Sequence, residues 1–400
     1  MTDLDLAESI APHIEIAIDR DGLRMGLALA NGMSGCVLFL AELARVRPSP
    51  RRTAAVTTHL ERLSSAVADS PIGLGLFTGL AGVLWALRRS ANLVGLHSMA
   101  DDKFYADAFA VYRAYLSQPD AEYEYDLISG IAGIGMWALS LNNAFERDRL
   151  VRLTLARLEE RAQPHANGLR WETPSSRPRR DGARSTETEF NLGLAHGAPG
   201  VVGFLAECVR RQVAHEVAFP LLQMACRSLL AQRQLGADCY FPDVDGSQRR
   251  SRVAWCYGDL GVGLALYKAA GALRSNEFEA TAREVLISSA MRRRKDGCGV
   301  RDSGICHGSA GLWMIFSQLR GSGFVDDRIL CAIKTWRDDL LAERDHDRGI
   351  CGFYSYKSSG VGNLPDPSYL TGAAGVGLAL MADELPDDGW AFPLLASFRG

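Results

Sequence analysis

Three residues in two short motifs have side chains that could bind one metal ion together. Cys256 lies in Trp255-Cys-Tyr-Gly258, and Cys306 and His307 lie in Cys306-His-Gly308 further along the chain. Two thiolates and one imidazole form a donor set that zinc accepts with one coordination position left open, as in catalytic zinc sites. A zinc ion held in this way would keep an incoming thiol as its thiolate, the nucleophilic form of sulfur. The alternative for each residue alone is a small buried side chain near a helix start.

His196, directly before Gly197, is the candidate for proton transfer. Histidine titrates near neutral pH and is the most common general acid or base in enzymes. The alternative is a polar residue at a helix start that is satisfied by the backbone.

Asp126 and Arg252 are two further candidates for the same site. Asp126 precedes Gly130 by four residues and Arg252 precedes Cys256 by four residues. An acid at this place could simply be favoured by a helix dipole, and Arg252 could be a solvated member of the run Arg249-Arg250-Ser-Arg252. From the residues alone, a role in the site and a structural role both stay open.

The pattern Gly-x-x-Gly at the start of an apolar run occurs seven times and organises the chain. Its members are Gly32/Gly35, Gly79/Gly82, Gly130/Gly133, Gly197/Gly200, Gly258/Gly261, Gly308/Gly311 and Gly372/Gly375. Each interval is long enough for two helices, which is the unit size of helical repeat proteins. Runs such as Gly130–Leu139 are apolar nearly all round and predict helices buried on every side. Glycines three apart would let neighbouring helices approach closely.

An amphipathic stretch with apolar residues at helical spacing precedes each glycine run. These stretches are Leu4–Ile18, Ala54–Ala68, Lys103–Leu116, Arg147–Arg161, Val217–Gln232, Glu277–Met291 and Asp326–Leu341. Seven buried helices, each preceded by an amphipathic one, predict an all-α fold, an α/α toroid with seven inner and seven outer helices. Residues 1–400 would form a single domain, and an open superhelix is the alternative. The stretches Gln163–Asn191, Gly236–Arg252 and Gly349–Tyr369 are predicted to be short extended segments and loops.

The composition bounds the class of protein. The chain has 400 residues, is 47% hydrophobic, and carries 44 basic against 47 acidic residues, a net charge of −3. This balance argues against bulk nucleic-acid binding. The acidic N-terminus has no signal-peptide pattern and no apolar run reaches the length of a membrane span, so we expect a cytoplasmic protein without a membrane span. Nine cysteines in that compartment should be reduced thiols; among them, Cys208, Cys226 and Cys331 lie in helical stretches and are expected in the core.

The glycine repeats, together with Trp255-Cys-Tyr-Gly258, Cys306-His-Gly308 and Ala195-His-Gly197, resemble the lanthionine synthetase C-like family over essentially the whole chain. The resemblance implies an α/α toroid that holds one zinc ion through Cys256, Cys306 and His307. It also implies that Asp126, His196, Arg252 and Tyr257 surround the metal as catalytic residues.

The resemblance further implies a reaction and its partners. Cyclases of this family add a cysteine thiol to a dehydroalanine or dehydrobutyrine of the same peptide, which produces a (methyl)lanthionine thioether ring. The expected partners are a dehydrated precursor peptide with its leader, a separate dehydratase and an export transporter. His196 would transfer the proton, Asp126 would orient it, and Arg252 and Tyr257 would stabilise oxyanion character.

Two other readings of the sequence remain open. The chain could be a non-catalytic, zinc-containing toroid that binds a peptide, glutathione or a partner protein. It could also be another α/α-barrel enzyme, such as a glycosidase or a zinc prenyltransferase. A glycosidase requires two carboxylates at one site, and only Asp126 is well placed for that role.

Overall fold

The computed structural model describes residues 2–118, 123–165, 168–174, 188–234, 239–356 and 365–398. Its α-helices in chain order are α1 (Asp3–Asp21), α2 (Met33–Val46), α3 (Pro50–Asp69), α4 (Leu80–Leu93), α5 (His97–Ala100), α6 (Ala106–Leu116), α7 (Ile131–Leu139), α8 (Ala144–Arg161), α9 (Ala198–Arg210), α10 (His215–Ala231), α11 (Asp259–Leu273), α12 (Asn276–Met291), α13 (Ser309–Gly321), α14 (Asp327–Ala342) and α15 (Ala373–Met381). Short 3-10 helices span Gly22–Met25, Asp102–Tyr105, Arg294–Asp296 and Gly389–Leu394. The chain is therefore predominantly helical, as predicted.

The strands of the described residues are short and lie in the first predicted insertion, Gln163–Asn191. The strands are β1 (Gln163–His165), β2 (Gly168–Arg170), β3 (Thr173–Pro174) and β4 (Thr188–Glu189), and they form two antiparallel pairs, β1 with β2 and β3 with β4. The predicted insertions extend beyond the described residues: positions 166–167 and 175–187 of the first, 236–238 of the second and 357–364 of the third lie outside them.

Seven helices each begin directly after the first glycine of a repeat. These glycine-run helices are α2, α4, α7, α9, α11, α13 and α15. All nine residues of α7 are buried, and so are all nine residues of α15. Such helices have no polar face to turn toward water, which agrees with the apolar composition of these runs. The first glycine of each repeat therefore marks the start of a buried helix.

The amphipathic helices, α1, α3, α6, α8, α10, α12 and α14, carry one buried stripe each. In α12, Phe278, Val285 and Leu286 are buried, and the side chain of Ser275 caps the helix by accepting the N–H of Phe278. A serine N-cap satisfies a backbone donor that the helix itself leaves unpaired. The observed bounds Asn276–Met291 agree with the predicted stretch Glu277–Met291 to within one residue. The agreement is close because the buried stripe and the cap both depend on residues near one another in the sequence.

The chain divides into two compact units. One comprises Met1–Tyr112 and Val300–Gly400, and the other comprises Arg113–Gly299. In the first unit α2 packs against α4, α1 against α15, and α13 against α14. In the second unit α9 packs against α11, α11 against α12, and α7 against α8. Within each unit, buried glycine-run helices thus contact both one another and amphipathic helices.

Among the described residues, no helix combines the length and the apolarity that crossing a membrane requires.

Candidate functional site

A loop with a repeated backbone hydrogen bond leads into the glycine-run helices. In six repeats, the carbonyl of the sixth residue before the first glycine accepts the N–H of the first helical residue, at 2.7–3.1 Å. We call this sixth residue the minus-six residue, and the residues two and one before the glycine the minus-two and minus-one residues. The minus-six residues are Gly26, Gly73, Glu124, Asn191, Arg252, Asp302 and Asp366. The carbonyl caps a helix start that has no side-chain cap, because the N-cap there is glycine.

The two glycines of each repeat make room for this loop. A Cβ at Gly311 would lie 1.8 Å from the carbonyl oxygen of Ile305, in the loop before its own helix. Gly258 has φ of +88°, and a Cβ there would lie 2.0 Å from the carbonyl oxygen of Arg252. The sequence suggested that these glycines serve close helix–helix approach. The structure shows instead that the tightest contact at these two positions is with the backbone of the preceding loop.

Backbone hydrogen bonds also join neighbouring loops at their minus-two residues. In the first unit three such bonds, of 2.8–3.0 Å, run from an N–H to the next carbonyl: Cys306 to Leu370, Leu370 to Ala30, and Ala30 to Phe77. In the second unit the N–H of Ala195 donates to the carbonyl of Cys256 at 3.2 Å. A loop that makes both bonds is fixed to its own helix and to an adjacent loop, so backbone contacts hold the side chains that it carries.

His196, a minus-one residue, is paired with Asp126. Its Nδ1 lies 2.6 Å from Oδ2 of Asp126, whose other oxygen accepts the N–H groups of Ser129 and Gly130 at 2.8 Å each. Two backbone donors therefore hold the carboxylate, and the carboxylate holds the imidazole. With Nδ1 as the donor, Nε2 is the ring atom that can exchange a proton with a substrate. The side chain of His196 remains 42% exposed, so a substrate can reach it.

The environment of His196 raises the pKa of its imidazole above the ordinary value of 6.5. The hydrogen bond with Asp126 is the main cause, and burial opposes it by disfavouring the charged ring. The charge of Asp126 adds to the rise. A pKa moved upward from 6.5 increases the fraction of the imidazolium form, which is the form that can donate a proton.

Tyr257 is held by a residue that the sequence did not single out. The side-chain amide of Asn191 donates to Oη of Tyr257 at 3.0 Å, and its Oδ1 accepts the N–H of Gly193 at 2.9 Å. The Tyr257 ring lies 6.4 Å from the His196 ring, centroid to centroid. Burial raises the pKa of Tyr257, and the Asn191 hydrogen bond moderates that rise. The phenol thus stays protonated and can donate its own hydrogen.

Arg252 is exposed and lies near a second acid, Asp243. Burial raises the pKa of Asp243, and the positive charge of Arg252 partly offsets this rise. Arg252 also packs against Gly299, where a Cβ would lie 2.8 Å from the Arg252 Cβ. Arg252 is therefore a solvent-accessible positive charge in the loop that also carries Tyr257.

Cys256, Cys306 and His307 form a group that could hold a metal ion. One ligand atom from each lies within 4.8 Å of the others. Cys256 is buried, whereas Cys306 and His307 are partly exposed. Sulfur and imidazole donors with partial exposure fit zinc, which binds soft and borderline ligands and leaves a position open for a substrate when three protein ligands are present. The donor set therefore fits the ion that the sequence suggested.

Other cysteines have the character of core residues. Burial raises the pKa of Cys36 to about 12 and also raises the pKa of Cys208 and Cys226, so these thiols stay protonated. The expectation of core positions is met for Cys208 and Cys226. It is wrong for Cys331, which is exposed. Cys331 lies on the solvent side of α14, whose buried stripe is formed by Ile329, Ala332, Trp336 and Leu340.

Comparison with known families decides the relationship. The family model for lanthionine synthetase C-like protein matches residues 24–395. The chain belongs to this family. The match covers all seven glycine repeats of the lanthionine synthetase C-like chain and every residue assigned to the candidate site.

Two relatives extend this result. The nisin biosynthesis protein NisC of Lactococcus lactis subsp. lactis is 26% identical over 323 residues, which are 74% of this chain and 74% of that protein. The solved structure of nisin cyclase matches with a TM-score of 0.73 at 21% identity, over 96% of this chain and 97% of that chain. At this identity the second likeness shows the fold alone. It confirms the α/α toroid that the repeats of this lanthionine synthetase C-like chain predict.

Proposed function

We propose that this protein is a zinc-dependent lanthionine synthetase that forms thioether rings in a ribosomal precursor peptide. The observation that carries the proposal is the group formed by Cys256, Cys306 and His307. The group has three protein ligands among the residues that the structure describes, and this number matches a catalytic rather than a structural zinc site because it leaves one position for a substrate. The family match supports the same function, and the names of the two relatives, a nisin biosynthesis protein and a nisin cyclase, agree with a cyclising activity.

Zinc bound by these three residues would lower the pKa of a cysteine thiol of the peptide and keep the sulfur nucleophilic. The reaction then requires a proton acceptor, a proton donor and a group that stabilises negative charge.

His196 supplies the proton transfers. Its Nδ1–H is held by Asp126 at 2.6 Å, so Nε2 can accept the thiol proton or deliver a proton to the substrate. Asp126 stays in place because the backbone N–H groups of Ser129 and Gly130 donate to it. This arrangement of a histidine oriented by a carboxylate is that of a general acid–base catalyst.

Tyr257 and Arg252 stabilise the oxyanion that forms when the alkene is attacked. The Asn191 amide fixes the phenol oxygen of Tyr257, and a fixed donor stabilises developing negative charge without reorganisation. Arg252 contributes a permanent positive charge at the same loop. Both residues would act on the amide oxygen of the dehydrated residue.

The proposed chemistry is a balanced addition. The thiol loses its proton, and sulfur forms a bond to the β-carbon of dehydroalanine or dehydrobutyrine. The π electrons move toward the amide to give an enolate, whose α-carbon then takes one proton. No atoms are lost and nothing is oxidised, so the product is an isomer of the dehydrated peptide.

The substrate is therefore a peptide that has already been dehydrated at serine or threonine. We propose a dehydrated precursor with its leader as the partner, together with a separate dehydratase and an export transporter acting before and after this step. A cytoplasmic location follows from the same proposal.

The direct test is incubation of the purified protein with a dehydrated, cysteine-containing peptide. Because ring closure does not change the mass, the products are treated with an alkylating reagent that adds mass to each remaining free thiol. We expect one fewer alkylation for every ring, as measured by mass spectrometry. A peptide incubated without protein serves as the control for spontaneous closure.

The alternative function, a non-catalytic zinc toroid that binds peptide, glutathione or a partner protein, gives the opposite result. In that case the alkylation pattern would equal the control even though the protein contains zinc and binds the peptide. The Asp126–His196 pair favours catalysis, because a binding module has no need of an oriented imidazole.

A further inference from the structure

Asp302, the minus-six residue of the sixth repeat, is fully buried and contacts a proposed zinc ligand. Its Oδ2 lies 3.3 Å from Nε2 of His307, and its side chain has no exposed surface. The same carboxylate accepts the N–H of Gly304 on Oδ1 and the N–H of Tyr356 on Oδ2, each at 3.2 Å. Two backbone donors therefore fix the carboxylate next to the imidazole.

The seventh repeat shows what this residue does when no histidine follows. Asp366 occupies the minus-six position there; its Oδ1 accepts the N–H of Ser368 at 2.9 Å, and its Oδ2 accepts the hydroxyl of Thr371 at 2.7 Å. Both acids thus stabilise their own loop and contact the minus-one side chain. In the sixth repeat that side chain is the imidazole of His307, so the contact with Asp302 can affect how this proposed ligand binds a metal ion.

We propose that Asp302 is a positioning residue that sets which ring nitrogen of His307 binds zinc. The imidazole donates Nε2–H to Asp302 and ligates through Nδ1. Histidines that bind metals commonly hold their second ring nitrogen in this way, since the partner fixes the ring and makes it a stronger ligand. The inference rests on the proposed zinc site and deepens it.

The test is the affinity of the full-length protein for zinc(II), measured by competition with a chromophoric chelator. We compare the unchanged protein with Asp302→Asn and with the matched variant Asp366→Asn. An asparagine at position 302 keeps an oxygen for the N–H of Gly304, but its amide group takes the place of Oδ2 and faces both the ring and the N–H of Tyr356. We expect the dissociation constant to rise about 10- to 100-fold in Asp302→Asn and to stay unchanged in Asp366→Asn.

A second background separates positioning from loop stability. The variant His307→Cys supplies a thiolate, which zinc accepts and which has no second ring atom for Asp302 to hold. If Asp302 acts through the imidazole, Asp302→Asn should not weaken zinc binding further in this background. If it only stabilises the loop, the same loss should recur there. Cobalt(II) absorption spectra should change in Asp302→Asn but not in Asp366→Asn, because they report ligand geometry.

The outcomes separate this inference from the proposed function. If the unchanged protein binds zinc and Asp302→Asn binds it equally well, the positioning role is wrong and the zinc site stands. A similar loss in both Asp302→Asn and Asp366→Asn, or a recurring loss in the His307→Cys background, also overturns the positioning role. If the unchanged protein binds no zinc, the proposed function fails and this inference fails with it.

Discussion

The Asp126–His196 pair is the most completely defined part of the site. Every atom that the proposed proton transfer needs is accounted for: two backbone donors on the carboxylate, a 2.6 Å contact to Nδ1, and an exposed ring. The groups that hold His196 in place are Asp126 and the backbone, not the proposed metal ligands. The metal ligands and the proton-transfer group should therefore be separable by substitution.

His196→Ala should abolish ring formation and leave the zinc content unchanged. Removing a general acid–base catalyst costs about 10²- to 10⁴-fold in rate, whereas His196 is not one of the three proposed ligands. The measurements are metal analysis and the alkylation assay on the same preparation. Cys256→Ala is the opposite control and should lose both zinc and activity. Loss of zinc from His196→Ala would instead place this histidine among the ligands.

The pH dependence of the reaction should follow the His196–Asp126 contact. Because that contact is the main cause of the raised His196 pKa, the limb of the kcat/KM profile set by His196 should have its midpoint above 6.5. Asp126→Asn removes the cause, and burial then lowers the pKa. The midpoint should move to lower pH in this variant. An unchanged midpoint would mean that another group sets the limb.

The residues before the glycines indicated Cys256, Cys306, His307 and His196, and Asp126 was added by the family resemblance. The structure contains the Asp126–His196 contact and brings the three metal-ligand candidates together, while the roles of these residues stay predictions. Asn191 and Asp302 were missed, because the side chain of a minus-six residue reaches the site only through the conformation of the loop. A signal was nevertheless present in the sequence: Asn191, Asp302 and Asp366 all stand six residues before a repeat glycine. Aligning the repeats on the first glycine would have shown it.

At the level of elements, glycine substitutions can show whether the repeat glycines are needed for contact with the preceding loop or for the helix itself. Gly311→Ala should destabilise the protein by several kcal/mol, on the order of 3 to 5, because its Cβ would lie 1.8 Å from a backbone oxygen. The matched variant is Gly271→Ala in α11, where a Cβ meets nothing within 4 Å. This change should be neutral or stabilise by up to about 1 kcal/mol. Urea unfolding followed by circular dichroism measures both, and equal effects would contradict the loop explanation.

A buried ion pair links α9 to α11 and predicts acid sensitivity. Nζ of Lys268 lies 2.7 Å from Oε1 of Glu207, and both side chains are almost fully buried. Burial would raise the pKa of Glu207, but Lys268 and two neighbouring arginines lower it to about 2. Its charge therefore stabilises the fold above pH 4.5, and this contribution is lost as the pH falls toward 2.

The variant Glu207→Gln removes this dependence. The shift of pKa corresponds to about 3 kcal/mol of pH-dependent free energy of unfolding, so the stability of the unchanged protein relative to the variant should fall by up to this amount as the pH drops from 7 toward 2. Urea titrations of both proteins at pH 7 and pH 3 provide the measurement. If the two proteins differed in free energy of unfolding by the same amount at pH 7 and at pH 3, Glu207 would not be the group responsible for the acid sensitivity.

Helix positions were largely predictable, because stripes and caps are local. The predicted stretch Arg147–Arg161 begins three residues inside the observed α8, whose cap, Asn143, accepts the N–H groups of Phe145 and Glu146. The hydrogen bonds between neighbouring loops were not predictable, since they join residues far apart in sequence. Only the structure explained why Gly258 and Gly311 must be glycines: a Cβ at either position would collide with a carbonyl oxygen of the preceding loop.

For the molecule as a whole, metal removal should affect chemistry without removing the fold. Each compact unit has its own buried helices, so treatment with excess chelator should abolish ring formation while the helical circular dichroism signal is retained. Returning zinc(II) should restore activity. Unfolding on chelation would show that the ion is structural. The single domain over residues 1–400 stays a prediction, as does the cytoplasmic location.

The hydrogen bonds at the minus-two residues use only backbone atoms, so they do not depend on which side chains these residues carry. Ala30 and Leu370 make the same bonds as Cys306, although neither can bind a metal. A reactive side chain can therefore be exchanged at these positions while the peptide groups beneath it remain in place. Evolution could therefore move catalytic groups among the repeats that share these bonds without rebuilding the backbone, and protein design could place new reactive side chains at Ala30 or Leu370.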